Sequence, residues 1–285
     1  MRREFEKHCE YGKQWTTRFL HHQRITYLDG ILLQESAKNS GRALDIGCGG
    51  GIYTMLCAAK TFKTIGIDIS KIAIKASKTW ASSAGLSRET DFVVCNAESL
   101  PFKEECFDLV LSSEVIEHLN DPIAGVREIA RVVKDTGKAI LTIPNLFSYY
   151  WARRRIGYDL LRLLKRRQKN EETERHTSFS FLTTNSMLRI TDLKILAEES
   201  TNILPVPFSL MGNAAVYRSF AGLSERVDNQ LRHTFLKVLG SSLVVMIGRT
   251  QLQLRKYGSA RGLTILTRAL SPSEGGARER QTSNR

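Results

Sequence analysis

Apolar positions recur along this chain with two periods, and the alternation between them predicts the fold. Trp15, Phe19, Ile25, Leu28, Ile31 and Leu32 stand at roughly helical spacing, so a helix leads. Arg42–Ile46 then reads as a strand, a helix follows from about Gly51 to Ala59, and Thr64–Asp68 reads as a second strand. Ser70 is a fair N-cap for a helix carrying Ile72, Ile74, Ala76 and Trp80, which Gly85 ends. Strands are expected at Asp91–Cys95 and Phe107–Leu111. Asp121 and Pro122 open a helix through Ile123, Val126, Ile129 and Val133, with proline in the first turn behind an acidic cap. Asp135-Thr136-Gly137-Lys138 reads as a turn before a strand at Ala139–Ile143, which Pro144 stops. Strands and helices alternate this far, which implies a parallel sheet covered on both faces.

The rhythm breaks over 146–180. It resumes with a helix near Thr184–Ile190, a strand near Leu193–Ala197 and a last strand at Ser242–Gly248. Leu243–Ile247 is continuously apolar, as expected of a strand buried on both faces. The expected architecture is α/β: a doubly wound, seven-stranded, mostly parallel sheet. It divides into a helical segment 1–40, a catalytic domain 41–248 interrupted by an insertion at 146–180, and a tail at 249–285.

The chemistry gathers where the first strand ends. Ala43-Leu44-Asp45-Ile46-Gly47-Cys48-Gly49-Gly50-Gly51 runs an apolar strand into a carboxylate and a glycine-rich turn. Ile65-Gly66-Ile67-Asp68 ends the next strand in a second acid. A dinucleotide fold wants G-x-G-x-x-G, and counting from Gly47 that requires glycine where the chain has Ile52. What stands there is acid-x-G-x-G-x-G. This resembles the first motif of the class I S-adenosylmethionine-dependent methyltransferases. The resemblance implies a Rossmann-like fold and an S-adenosylmethionine pocket lined by Asp45, Gly47, Cys48 and Gly49. Asp68 would bridge the two ribose hydroxyls, with Ile69 beside it. Asn96-Ala97-Glu98 resembles the loop after strand three, where the family usually has an acid on the adenine amino group. Asn96 can accept the same bond without the charge, and an ordinary Asx turn remains the competing reading.

The second motif is Ser112-Ser113-Glu114-Val115-Ile116-Glu117-His118. Strand four delivers Ser113 to the sheet edge beside the cofactor. Glu114, Glu117 and His118 stand at i, i+3 and i+4, and on a helical turn they share one face. Two carboxylates and an imidazole suit a hard divalent ion with open positions. The segment is similar to Ser-Glu-x-x-Glu-His of the ubiquinone-pathway catechol O-methyltransferases, whose Glu, Glu and His bind magnesium. Gln23-Arg24-Ile25-Thr26-Tyr27-Leu28 resembles the same family, which has a cofactor-contacting arginine before the fold; that places Arg24 at the cofactor. The likeness covers roughly residues 20–146. A Glu-His pair at this place also occurs in metal-free methyltransferases. In that case the two glutamates are solvated or capping and His118 is the best general base, with His176 behind it. The Asn/Asp-Pro-Pro-aromatic sequence of enzymes that methylate adenine or glutamine nitrogen does not follow strand four.

Charge refines the choice of acceptor. The net charge is +13, yet residues 1–145 are nearly balanced, and the excess lies in 146–176 and in 249–285. Within 149–167, Ile156, Leu160, Leu161, Leu163 and Leu164 fill one sector of a helix, and Arg154, Arg155, Arg162, Lys165 and Arg166 the other. Tyr149, Tyr150 and Trp151 stand at one end. Such a basic amphipathic segment fits an anionic membrane surface or a lid over the pocket. Basicity that avoids the catalytic body disfavours nucleic acid as partner, and no RNA-binding module is visible. The expected reaction is methyl transfer to a small or lipid-like acceptor, by preference a hydroxyl. Carbon methylation of a quinone or isoprenoid, RNA methylation, and a non-catalytic membrane-associated binding role are the rivals. No run has the eighteen or so apolar residues of a membrane span, and the first residues lack the apolar stretch of a secretory signal. Five cysteines without paired spacing suggest no disulfide framework. Cys48, Cys57, Cys95 and Cys106 read as small buried fillers in a reducing cytoplasm. Residues 271–285 read as a polar, unstructured end.

Overall fold

The computed structural model describes residues 15–37, 41–145, 147–148, 181–201, 203, 223, 226–231 and 234–249. In the first helix, side chains are described from His21 onward. The basic segment 149–167, His176 and the tail beyond Arg249 lie outside the described residues.

The elements are α1 (Trp15–Ser36), β1 (Arg42–Ile46), α2 (Ile52–Ala59), β2 (Lys63–Asp68), α3 (Lys71–Ser83), β3 (Thr90–Val94) and β4 (Phe107–Ser113). A single 3-10 turn, Ile116–His118, leads to α4 (Pro122–Val132) and β5 (Val133–Pro144). After the insertion come α5 (Phe181–Leu188), β6 (Lys194–Thr201), a 3-10 turn at Phe235–Leu239 and β7 (Ser242–Gly248). The caps form as their chemistry dictates. The Ser70 hydroxyl accepts the Ala73 N–H at the start of α3, and Asp121 accepts the N–H groups of Ile123 and Ala124 at the start of α4.

The seven strands make one sheet in the order β3-β2-β1-β4-β5-β7-β6. Strands β1 to β5 pair in parallel, and β7 runs antiparallel to both neighbours. The order reverses between β1 and β4, so the crevice outside their carboxyl ends is where such a sheet binds a ligand. Central strands bury both faces. Leu44, Ile46, Val110, Ala139, Leu141, Val245 and Ile247 pack with α4 and α5 on one side. Ala43, Leu109, Leu111, Ile140 and Val244 pack with Leu28 and Leu32 of α1 and Leu56 and Cys57 of α2 on the other. A slip of one residue would exchange the two sets, so the register is held from both sides.

Helix α1 is pinned along its length. Lys138 reaches Glu35 at 2.6 Å, Lys60 meets Asp29 at 2.9 Å, the Tyr27 hydroxyl donates to Glu199, and Arg24 meets Glu114 at 3.0 Å. The helix therefore belongs to the catalytic body and reaches the ligand edge.

Two expectations need correction. The turn at Asp135–Lys138 is an irregularity inside β5. Val133 pairs with Phe107 and Lys138 already with Leu109, so Lys134–Gly137 bulge out opposite Asp108. Lys134 folds back onto Asp108 at 2.9 Å, which gives the bulge its own support. Secondly, only Cys48 and Cys57 are buried; Cys95 and Cys106 are half-buried. All four are free thiols.

Candidate active site

The glycine turn is folded by left-handed backbone. Gly47 has φ 65°, Gly49 φ 51° and Gly51 φ 82°. At Gly47 a Cβ would stand 2.4 Å from the Val115 methyl, so the loop after β4 packs directly on the turn. At Gly49 and Gly50 nothing lies within 4 Å of where a Cβ would be. The chain therefore has an open cradle above the middle of the turn. The turn is closed by its own backbone: Cys48 donates to Ile67 carbonyl at 2.8 Å and Gly51 to Cys48 carbonyl at 2.8 Å. The Ser77 hydroxyl of α3 donates to the Gly49 carbonyl at 2.7 Å.

Asp68 stands at the carboxyl end of β2, next to the turn. One carboxylate oxygen accepts the Gly49 N–H at 2.9 Å and the other the Ser70 N–H at 2.8 Å. Each oxygen keeps a further lone pair for hydroxyl donors. Ile69 follows with 75% of its surface exposed, an apolar face offered beside the carboxylate. Across the crevice, Asn96 has adopted the Asx turn, its side-chain oxygen accepting the Glu98 N–H at 2.9 Å. Glu98 reaches the N–H groups of Asn120 at 2.7 Å and Asp121 at 3.1 Å. It ties the loop after β3, including Ala97, to the start of α4.

Asp45, expected at the cofactor, is buried at the end of β1. Its carboxyl is 1% exposed and accepts the Thr54 hydroxyl at 2.6 Å. Burial pushes it up to about 7, against the two hydrogen bonds from Thr54. Its hydrogen bond ties the end of β1 to α2.

Beyond β4 the chain turns sharply. Glu114 has φ 57°, a left-handed conformation uncommon for a side chain of this size. The following turn is 3-10 and begins only at Ile116. Glu114, Glu117 and His118 therefore do not share one face of an α-helical turn. The Glu114 carboxylate is 3.0 Å from the Arg24 guanidinium. Glu117 is 2% exposed, and burial followed by the nearby Glu114 charge pushes it up to about 8. The His118 side chain is 48% exposed, with its Nε2 3.9 Å from Glu117. Among the described residues, no three carboxylate, imidazole or thiol groups converge as a metal-holding set. The magnesium triad that the spacing suggested does not fit this geometry. His118 remains at the rim as an accessible imidazole, and Ser113 is turned to Thr142, with 2.9 Å between the two hydroxyls.

Arg24, expected at the cofactor, has its guanidinium engaged by protein. It faces Glu114, the Tyr53 hydroxyl at 3.4 Å, Ser242 at 3.4 Å and His21 at 3.3 Å. Burial and the adjacent cation hold His21 down at about 4, so its imidazole is neutral. Tyr53, buried at the first turn of α2, is pushed up by burial and lies edge-on to His21. His21, Tyr53, Thr54 and Ser242 were not legible as site residues. No spacing joins Arg24 to Ser242, which stand 218 positions apart.

A cavity of about 260 Å³ lined by Arg127, Arg131, Thr191, Asp192 and Arg249 lies at the opposite edge of the sheet. Arg249 there is neutralised by Glu105 at 3.0 Å, Asp135 at 2.7 Å and Asp192 at 3.3 Å. This is a charge clasp for the end of β7, remote from the cradle.

Residues 44–141 match the family described as methyltransferase domain. Over 145 residues the chain is 32% identical to a ubiquinone biosynthesis O-methyltransferase of Nitrosomonas europaea, covering 50% of this chain and 60% of that protein. It is 33% identical over 113 residues to the chloroplastic tocopherol O-methyltransferase of Arabidopsis thaliana, covering 39% and 32%. The chain thus spans less than two thirds of these curated relatives. Among solved structures, a geranyl diphosphate methyltransferase in complex with SAM superposes with a TM-score of 0.55 at 14% identity, covering 84% of this chain and 92% of that one. Residues 44–141 thus resemble the methyltransferase-domain family, and the seven-stranded sheet around them has the fold of the class I S-adenosylmethionine-dependent methyltransferases.

Proposed function

We propose that this chain transfers a methyl group from S-adenosylmethionine to a hydroxyl of a small or lipid-like acceptor. The observation that carries the reading is the open cradle over Gly49 and Gly50 with the Asp68 carboxylate at its rim. In this reading Gly47, Cys48 and Gly49 border the amino-acid end of the cofactor. Asp68 accepts from the ribose hydroxyls, and Ile69, Asn96 and Ala97 flank the base. When bound, the cofactor supplies an electrophilic methyl on a sulfonium. The chain's own part is to hold the two reactants in line and keep water out. His118 stands at the rim where an acceptor hydroxyl would lose its proton, exposed enough to pass it to solvent. The names of the relatives, acting on ubiquinone precursors and tocopherols, favour a phenolic, lipid-like acceptor. A fold alone would not, because one fold hosts many chemistries.

Methyl-labelled cofactor incubated with lipid extracts tests the reaction. Label should pass into an organic-extractable product with the protein and not with a Gly49→Val variant. Label confined to RNA or to protein, or no transfer with any extract, would overturn the acceptor class.

The basic amphipathic segment 149–167 supports a second part of the reading, contact with an anionic membrane face from the cytoplasm. The free thiols among the described residues suit a reducing compartment. Each basic side chain near such a surface contributes about 1 kcal/mol, screened by salt. The protein should sediment with anionic vesicles and not neutral ones, and leave them at high salt. Changing Arg154, Arg155, Arg162 and Arg166 to Gln should abolish sedimentation and spare cofactor affinity. If the unaltered protein ignores anionic vesicles at low salt, the segment acts as a lid only.

A further inference from the structure

The loop after β4 carries a half-buried carboxylate, Glu114, and a buried one, Glu117, and the cation beside Glu114 comes from the protein. Glu114 and Glu117 each keep one buried carboxylate oxygen without a hydrogen-bond partner. Arg24 is not a passing surface side chain. It is 13% exposed, and its three guanidinium nitrogens are all engaged, by Glu114, Tyr53, Ser242 and His21. Those partners come from α1, α2, the β4 exit and β7, so the guanidinium is fixed by four parts of the fold.

We infer that the Arg24 guanidinium is the counter-cation of Glu114, in the place that a divalent metal would take beside Glu114 and Glu117, and that it positions Glu114 for the acceptor side of the site. A dication drawn to these two carboxylates would stand within a few ångströms of a fixed positive charge that cannot lose its proton. Like charges at that distance, with little water between them, repel strongly. The third member of the expected triad, His118, is half-exposed, and among the described residues it does not join Glu114 and Glu117 in a metal-holding set. The left-handed backbone at Glu114 has the same rationale: it swings the carboxylate back toward α1, where Arg24 receives it. Arg24 is thus a positioning residue that makes α1 a wall of the site.

The inference deepens the methyl-transfer reading, but its test reads metal binding and needs no acceptor. Manganese, followed by electron paramagnetic resonance, is titrated into the whole chain freed of metal by chelator. The unaltered protein is expected to show no stoichiometric site at millimolar manganese. Arg24→Gln, which keeps volume and loses charge, is expected to gain one site per chain, binding at least tenfold tighter than anything in the parent. Arg24→Lys should not gain it, and adding Glu114→Gln to Arg24→Gln should abolish it. A stoichiometric site in the unaltered protein that Glu114→Gln removes would overturn the inference. So would a folded Arg24→Gln that stays blind to manganese. Should Arg24→Gln fail to fold, the unaltered protein and Arg24→Lys still decide, because a site in either contradicts a resident guanidinium. Calorimetry with S-adenosylhomocysteine on the same samples keeps the two readings apart. Cofactor binding unchanged by chelator is expected, and cofactor binding without manganese exclusion would sink only the Arg24 role.

Discussion

Replacing Asp68 with Ala lowers the affinity for S-adenosylmethionine tenfold or more while the sheet stays folded. The carboxylate stands at the end of β2 with both oxygens anchored by backbone N–H groups, from Gly49 and Ser70. That anchoring fixes its direction before any ligand arrives, so little ordering remains to be done on binding. Each hydrogen bond from a neutral donor to a charged carboxylate is worth about 1.5–3 kcal/mol, and one tenfold step needs about 1.4 kcal/mol. Loss of even one ribose contact therefore covers the predicted decade. The two N–H groups released by the substitution lie at the open rim, where water can take them, so the cost to folding is small. Asp68→Asn should fall between, since its one side-chain oxygen can hold either the turn or the ribose but not both with full charge. Titration calorimetry reads the affinities, and a melting curve checks the fold. Unchanged affinity in Asp68→Ala would remove the cofactor assignment altogether.

The parts of this picture that were legible in the sequence are those governed by local chemistry. Strand periodicity located all seven strands, although β5 begins six residues before its expected start, and for β7 the expected and observed ends coincide, because Leu243–Ile247 is apolar without interruption. Caps were legible because Ser70 and Asp121 act on N–H groups two or three positions away. The bulge at Lys134–Gly137 was not, because turn residues announce a departure from the strand and cannot say that the strand resumes beside the same neighbour. The site divides in the same way. Gly47, Gly49, Gly51 and Asp68 were legible, since a tight turn at a strand end needs those residue types at that spacing. The expectation that Glu114, Glu117 and His118 share one helical face failed for a backbone reason. Spacing of i, i+3 and i+4 implies one face only if the turn is α-helical, and here it starts left-handed and continues as 3-10. Arg24 was found, but its partners Tyr53 and Ser242 were not, because tertiary packing alone brings them to it.

Stability should fall as pH rises from about 4 to 8, and Asp45→Asn should remove a large part of that slope. Asp45 lies 1% exposed beneath the glycine turn, and burial raises its carboxyl from an ordinary 3.8 to about 7. Below pH 3.8 the group is protonated in both folded and unfolded chains and costs nothing. Between 3.8 and about 7 the unfolded chain gives up the proton and the folded chain keeps it, so the unfolded state gains with each step in pH. Above 7 both forms are charged and the penalty is constant. At about 1.4 kcal/mol per pH unit the full loss is on the order of 4 kcal/mol. Glu117, raised from 4.5 to about 8, pulls in the same direction over a slightly higher window. An amide at position 45 keeps the shape and can still accept the Thr54 hydroxyl, but it has no charge to bury. Asp45→Asn should therefore match the parent near pH 4 and exceed it by several degrees in Tm at pH 8. Thermal unfolding followed by circular dichroism between these limits checks the prediction. Parallel curves for parent and variant across the whole range would mean that the Asp45 carboxyl is ionised in the folded chain at no cost, and that Thr54 alone meets its charge.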